Sequence, residues 1–225
     1  MSRNTRAALV TGGTGRLGRT LARRLGDEGF AVLAAGRSDG DVSRPEDARA
    51  LVERAAGELG RLDLVVNAAS AGFEPRPVEL VSEADWDAAL DSTAKGSFFV
   101  TQAAIPHLRA SGHGLVVMIE DVAAYRPWTS FAPHSAAKAA QAMLTRVLAR
   151  ALAPEIRVCG IAPGPVAVEP GQEERRAAET LLGRIGSPED VADAVLYLVG
   201  AGFVTGSTLF VDGGLSARDR PASNP

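Results

Sequence analysis

A chain of 225 residues fits one large domain, since chains split into several only beyond about 250 residues. With 46% hydrophobic and 23% charged residues it holds too many core formers for disorder. A formal charge of −3 with no dense basic run excludes nucleic acid as a partner. The single cysteine, Cys159, excludes an internal disulfide and a multi-cysteine zinc site and reads as a small buried side chain. Apolar runs such as residues 115–119 are far shorter than a bilayer span, and residues 1–6 are polar and basic with no apolar run behind them. The expectation is a soluble, cytoplasmic protein with no membrane partner.

In chain order, short β-rich runs alternate with longer stretches of helical period. Strand 7–10 precedes helix 16–28, strand 31–35 precedes helix 45–59, and strand 64–66 precedes helix 84–108. Strand 115–119 then precedes helix 134–152, strand 156–161 precedes helix 188–199, and strand 208–211 closes the series. Strands without polar alternation are buried on both faces, so the pattern predicts an α/β fold, a doubly wound parallel sheet with helices on both faces. Residues 164–186 form a long polar connection that fits either a mobile lid or a solvated helix. Residues 216–225 have no apolar period and read as a flexible tail, which leaves 1–215 as the domain.

Val10 ends the first strand, and Thr11-Gly12-Gly13-Thr14-Gly15-Arg16-Leu17-Gly18 opens the first helix. Glycines there let backbone approach a pyrophosphate, which then meets the free amides and positive dipole end of the helix. An NAD-preferring site would carry Asp or Glu at the end of the second strand, where this chain has Gly36, Arg37 and Ser38. A guanidinium suits a 2′-phosphate, so the dinucleotide expected is NADP(H).

The glycine motif, residues 65–70, the segment Asp121 to Lys138, Ala162-Pro163-Gly164 and Val211-Asp212-Gly213-Gly214 together resemble the short-chain dehydrogenase/reductase family. Arg16, Asp121 and Arg126-Pro127-Trp128 resemble its pteridine-reductase branch. The resemblance implies a single Rossmann-type domain, a homotetramer or homodimer, and hydride transfer between NAD(P)H and a carbonyl or imine of a small molecule. It implies a cofactor site built from Gly12, Thr14, Gly15, Arg16, Leu17, Gly18, Arg37, Ser38, Asn67, Ala68, Lys138, Pro163 and Gly164. In that family a Tyr donates the proton, a Lys four residues later assists it, a Ser (Asp in pteridine reductases) lies thirteen residues before the Tyr, and an Asn orders water.

Lys138 and Asp121 match that pattern, but the Tyr position is His134 and the Asn position is Thr93. Phe73 resembles the pterin-stacking Phe one place late, and Trp128 is a second candidate substrate contact. Arg37 is followed almost at once by Asp41-Val42-Ser43, the stretch that normally follows a third strand. The sheet is therefore expected to be truncated after its second strand, with the adenine side of the cofactor groove shortened.

His134 and Lys138, four apart on a helix, share a face, and Asp121 lies just past a strand end where α/β proteins place their sites. Lys138 is one of only two lysines, with Lys95, among 24 basic residues. No third ligand accompanies Asp121 and His134, so no metal is expected, and His107 and His113 read as surface residues. Three functions fit: an NADPH-dependent reductase with His134 as proton donor, a non-redox lyase, isomerase or cyclase using Asp121 and His134, or a catalytically silent binding or scaffold protein.

Overall fold

The computed structural model describes residues 5–72, 74–166, 168 and 170–217. Six strands form one sheet: β1 (Ala7–Thr11), β2 (Ala31–Ala35), β3 (Leu64–Asn67), β4 (Gly114–Ile119), β5 (Ile156–Pro163) and β6 (Thr208–Val211). Their order is β2-β1-β3-β4-β5-β6, and every neighbouring pair is parallel. β1, β3 and β4 are buried along their whole length because both faces are covered.

Alternate residues of these strands feed two cores. Leu9, Val65, Val116, Met118 and Val158 face one core, closed by α2 (Pro45–Leu59), α4 (Gly96–Ser111) and α5 (Ala132–Leu152). Ala8, Val10, Leu64, Val66, Val117 and Ile161 face the other, closed by α1 (Arg16–Asp27) and α7 (Pro188–Gly200). The period of two thus explains why apolar runs without polar alternation are needed.

The expected truncation is present. Between Arg37 and Pro45 lies only a 3₁₀ turn, Arg37–Asp39, and β2 is the edge of the sheet. α2 then carries the chain over β1 to β3, so the winding switches faces between β1 and β3. Ligands of open α/β sheets bind at such a switch, outside the strands' C-terminal ends.

The helix read from residue 84 to 108 is interrupted. α3 (Glu83–Leu90) runs into a π turn, Asp91–Lys95, before α4. A Cβ on Gly96 would stand 2.8 Å from Val42 Cγ2, so the widened turn is pressed against the segment before α2. In the 164–186 connection the structure forms one short exposed helix, α6 (Glu173–Glu179). Ser216 lies in the 3₁₀ turn Leu215–Ala217, and its amide donates to Asp212 Oδ2 at 2.7 Å. The rest of the expected tail, 218–225, lies outside the described residues.

Two glycines of α1 separate packing from propensity. A Cβ on Gly18 would stand 2.2 Å from Gly12 O and 2.7 Å from Gly13 Cα, backbone that has nowhere to go, whereas one on Gly26 meets nothing within 4 Å. Gly18→Ala is expected to cost about 1 to 3 kcal/mol in urea denaturation. Gly26→Ala, by the same measurement, is expected to gain about 0.5 to 1 kcal/mol.

Candidate functional site

The loop after β1 lies on the end of β3. Gly12 has φ +66°, and a Cβ there would stand 2.6 Å from Ala68 O. Thr11 locks the same junction: its Oγ1 accepts the amides of Ala68 and Ala69, each at 3.2 Å. The Gly13 amide donates to Ala35 O at 2.7 Å, which pins the loop to β2 as well. Gly15 caps α1 with no side-chain hydrogen bond, and no acidic residue stands in the first turn. The helix therefore supplies no internal substitute for an anion at its positive end.

A cavity of about 280 Å³ opens on this loop, lined by Thr11, Gly12, Thr14 and Gly15, by Gly36 and Arg37, by Asp41 and Val42, and by Ala68 to Ser70. Arg37 starts the 3₁₀ turn that also holds Ser38. Asp39 fastens that turn, accepting the Gly36 amide at 2.8 Å and Arg54 Nη2 at 2.8 Å. Arg16 is exposed at the first position of α1, and among the described residues neither Arg16 nor Arg37 enters an ion pair. A glycine cradle, an uncapped helix start and a guanidinium on the wall fit a phosphate-bearing dinucleotide.

The other expected cofactor residues are placed differently. Leu17 packs into the α1 side of the core and Gly18 is buried against the loop. Asn67 turns inward, its Nδ2 donating to Thr101 Oγ1 at 3.0 Å and lying 3.4 Å from Met118 Sδ. Pro163 ends β5, and Gly164 follows where a Cβ would stand 2.7 Å from Asp212 Cα.

The second group of residues gathers past the end of β4. Asp121 caps a 3₁₀ turn, Val122–Ala124, its Oδ1 accepting the Ala123 amide at 2.7 Å while Oδ2 stands 3.4 Å from His134 Nε2. His134 is 4% and Lys138 5% exposed. Lys138 Nζ donates to Ile119 O at 2.7 Å and to Gln141 Oε1 at 3.1 Å. Thr93, in the π turn, has its hydroxyl 3.1 Å from Ser70 Oγ, and its carbonyl accepts Ser97 Oγ at 2.6 Å. Ser97 Oγ in turn accepts Gln141 Nε2 at 2.8 Å. Thr93, Lys138 and their partners thus form one buried network between α4 and α5.

His134 also borders a cavity of about 660 Å³, with Ser130, Phe131 and Pro133 beside it, Ser70 to Gly72 below, and Arg76, Val81 and Asp85 across. Ser70 lines this cavity and the phosphate cradle alike. Trp128 is half-buried: it packs edge-on against Phe131 at 5.7 Å, and Arg176 of α6 stands 5.6 Å from its ring. Phe73 lies outside the described residues. Among the described residues no group of three His, Cys, Asp or Glu side chains is placed to hold a metal, and no helix is long and apolar enough to cross a membrane. Thr11, Ser70 and Gln141 were not singled out by the sequence reading. Gln141, three residues after Lys138 on the same helix face, carried the one periodic signal that could have found it.

Residues 14–216 match the family model described as enoyl-(acyl carrier protein) reductase. Ketoacyl reductase 2 of the granaticin polyketide synthase from Streptomyces violaceoruber is 37% identical, over 92% of this chain and 94% of that protein. The 3beta-hydroxysteroid dehydrogenase 1 of Eggerthella lenta is 36% identical, over 94% of each. A solved 7 alpha-hydroxysteroid dehydrogenase, complexed with NADH and 7-oxo glycochenodeoxycholic acid, superposes with a TM-score of 0.86 at 27% identity, covering 93% of both chains.

Burial pulls the Lys138 ammonium down from its ordinary 10.5 to about 8, while Asp121 first and Glu120 second push it back up. Below pH 8 the lysine is charged both folded and unfolded, and its burial cost is fully present. Between about 8 and 10.5 the folded chain has released a proton that the unfolded chain still holds, so stability contributed by this group rises with pH. Urea denaturation of the native protein and of Lys138→Met at pH 7.5 and pH 10 should show the native protein gaining about 1 to 3 kcal/mol relative to the variant.

Proposed function

Because the chain belongs to the short-chain dehydrogenase/reductase family, we propose that it is an NADPH-dependent reductase of a carbonyl or imine, similar to the pteridine-reductase branch, working through Asp121, His134 and Lys138. The observation that carries this reading is that the phosphate cradle and the His134 cavity meet at Ser70. A reduced nicotinamide, when bound, supplies the hydride. The loop from Gly12 to Gly18 and the start of α1 hold the pyrophosphate, and Arg37, with Arg16 and Ser38 nearby, takes the 2′-phosphate.

His134 supplies the proton that the reduced oxygen or nitrogen takes up, and Asp121 orients the imidazole. An imidazole reaches about 2 Å less far than a phenol, so the substrate enters deeper or one water bridges the gap. The 660 Å³ cavity leaves room for either arrangement. Thr93 joins the π turn to Ser70, and Phe131, backed by Trp128, gives the cavity an aromatic wall. A non-redox lyase, isomerase or cyclase is the second reading, favoured by the Asp121 and His134 pair, which needs no hydride to act as acid and base.

Calorimetric titration with NADPH, NADP⁺, NADH and NAD⁺ separates the two. The reductase reading expects affinity for the phosphorylated pair, lost about tenfold in Arg37→Ala; equal or reversed preference sinks the NADP assignment, and no affinity at all sinks the reductase. His134→Phe should lower turnover by about 10² to 10⁴. If Phe is neutral and His134→Tyr creates NADPH-dependent carbonyl reduction, the histidine is a bystander.

The same reading includes a homotetramer or homodimer. Met143 and Val147 lie one turn apart on α5 with 54% and 52% exposure, apolar surface that a second copy would cover. Light scattering at micromolar concentration should return a multiple of the chain mass.

A further inference from the structure

Glu120 lines neither cavity, yet it is 2% exposed and sits between Ile119, whose carbonyl holds Lys138, and Asp121, which holds His134. Its Oε1 accepts the Thr145 hydroxyl at 2.6 Å, and its Oε2 accepts those of Tyr125 at 2.6 Å and Thr208 at 3.1 Å. Three donors and no acceptor converge on it, the surroundings of an ionised carboxylate. Among the described residues no cation lies within ion-pair distance of it. The pocket exists because β5 leaves a side chain out: a Cβ on Gly160 would stand 2.0 Å from Glu120 Oε1. A carboxylate taken out of water without a contacting cation is costly, and the three hydroxyl bonds offset part of that cost.

The Lys138 ammonium donates to the carbonyl of Ile119, the residue immediately before Glu120. Backbone at Asp121 is extended, so the side chains of Glu120 and Asp121 leave the end of β4 in opposite directions. Thr145, which binds Glu120, stands two turns beyond Lys138 on the same face of α5, and Gln141 between them bonds both. We propose that Glu120 is a positioning residue: with Asp121 it keeps the Lys138 ammonium charged and anchored at the end of β4, from a place no substrate or cofactor touches. The charges that act on Lys138 are Asp121 and Glu120, with His134 one turn away on its own helix; Thr93 and Ser97 from the π turn and α4, and Gly160 from β5, bring none. Tyr125, held near about 12 by burial and by its bond to Glu120 and faced by Arg146, remains a neutral donor across the range in which Lys138 titrates.

The inference rests on the place of Lys138 and not on the reductase reading. With only Lys95 and Lys138 present, lysine labelled with carbon-13 at Cε gives two resonances to follow against pH, and Lys95→Arg assigns them. In Glu120→Gln, Lys138 should release its proton about one pH unit lower than in the native protein. Should that variant fail to fold, Glu120→Met combined with Thr145→Val removes charge and donor together, with the same shift expected. A midpoint unmoved in a folded variant overturns the proposal. Thr145→Val alone should lower the denaturation midpoint and leave the lysine titration in place; if it moves the titration as far as Glu120→Gln does, packing rather than charge is responsible and the proposal fails. A shifted titration in a protein that never oxidises NADPH would sink the reductase and leave this inference standing.

Discussion

A helix can present polar side chains to the buried side of a parallel sheet only if each of them finds a partner there. α5 does this four times, with His134, Lys138, Gln141 and Thr145 at successive turns of one face, each at most 5% exposed. Their partners come from separate elements: Asp121 and Ile119 at the end of β4, Ser97 on α4, and Glu120 beneath β5 and β6. The network fixes the rotation and height of α5 against the sheet. Because His134 also lines the larger cavity, the same network sets where its imidazole stands relative to that cavity.

The strands, the phosphate loop and the missing crossover were legible in the sequence because each rests on local rules. Leu64-Val65-Val66 can only be a doubly covered strand, and no helix fits between Arg37 and Pro45. Asp121, His134 and Lys138 could be placed together from helical spacing and a strand end. What escaped depends on contacts remote in sequence. The inward turn of the Asn67 amide depends on Thr101 and Met118, far away in sequence. The π turn at Thr93 follows from how α3 and α4 pack around it and from no residue preference. Glu120 was not singled out, because its enclosure by Gly160, Thr145 and Thr208 comes from segments remote in sequence.

The two halves of the site differ in what makes them rigid. The phosphate cradle is mostly backbone, Gly12 against Ala68 and Gly13 on β2, with the Thr11 hydroxyl across the junction. Side chains contribute little to its shape, so substitutions at Arg16 or Arg37 change its charge without changing its form. The His134 side is built of side chains, where removing one group exposes another to an empty bond. Tolerance to mutation should therefore be greater on the cradle's rim than along α5.

β2 stands at the margin of the sheet because after one short turn the chain enters α2 and returns over β1 to β3. A strand so placed carries a row of backbone groups that no neighbour satisfies, and Ala31–Ala35 has neither proline nor charge within it to discourage an incoming strand. Its protection is brevity and its flanks: five residues, with Arg6 stacked on Phe30 at one end and the Asp39-fastened turn at the other. With no crossover and strand beyond it, the strand whose end borders the phosphate cradle is also the one that must resist edge-to-edge pairing.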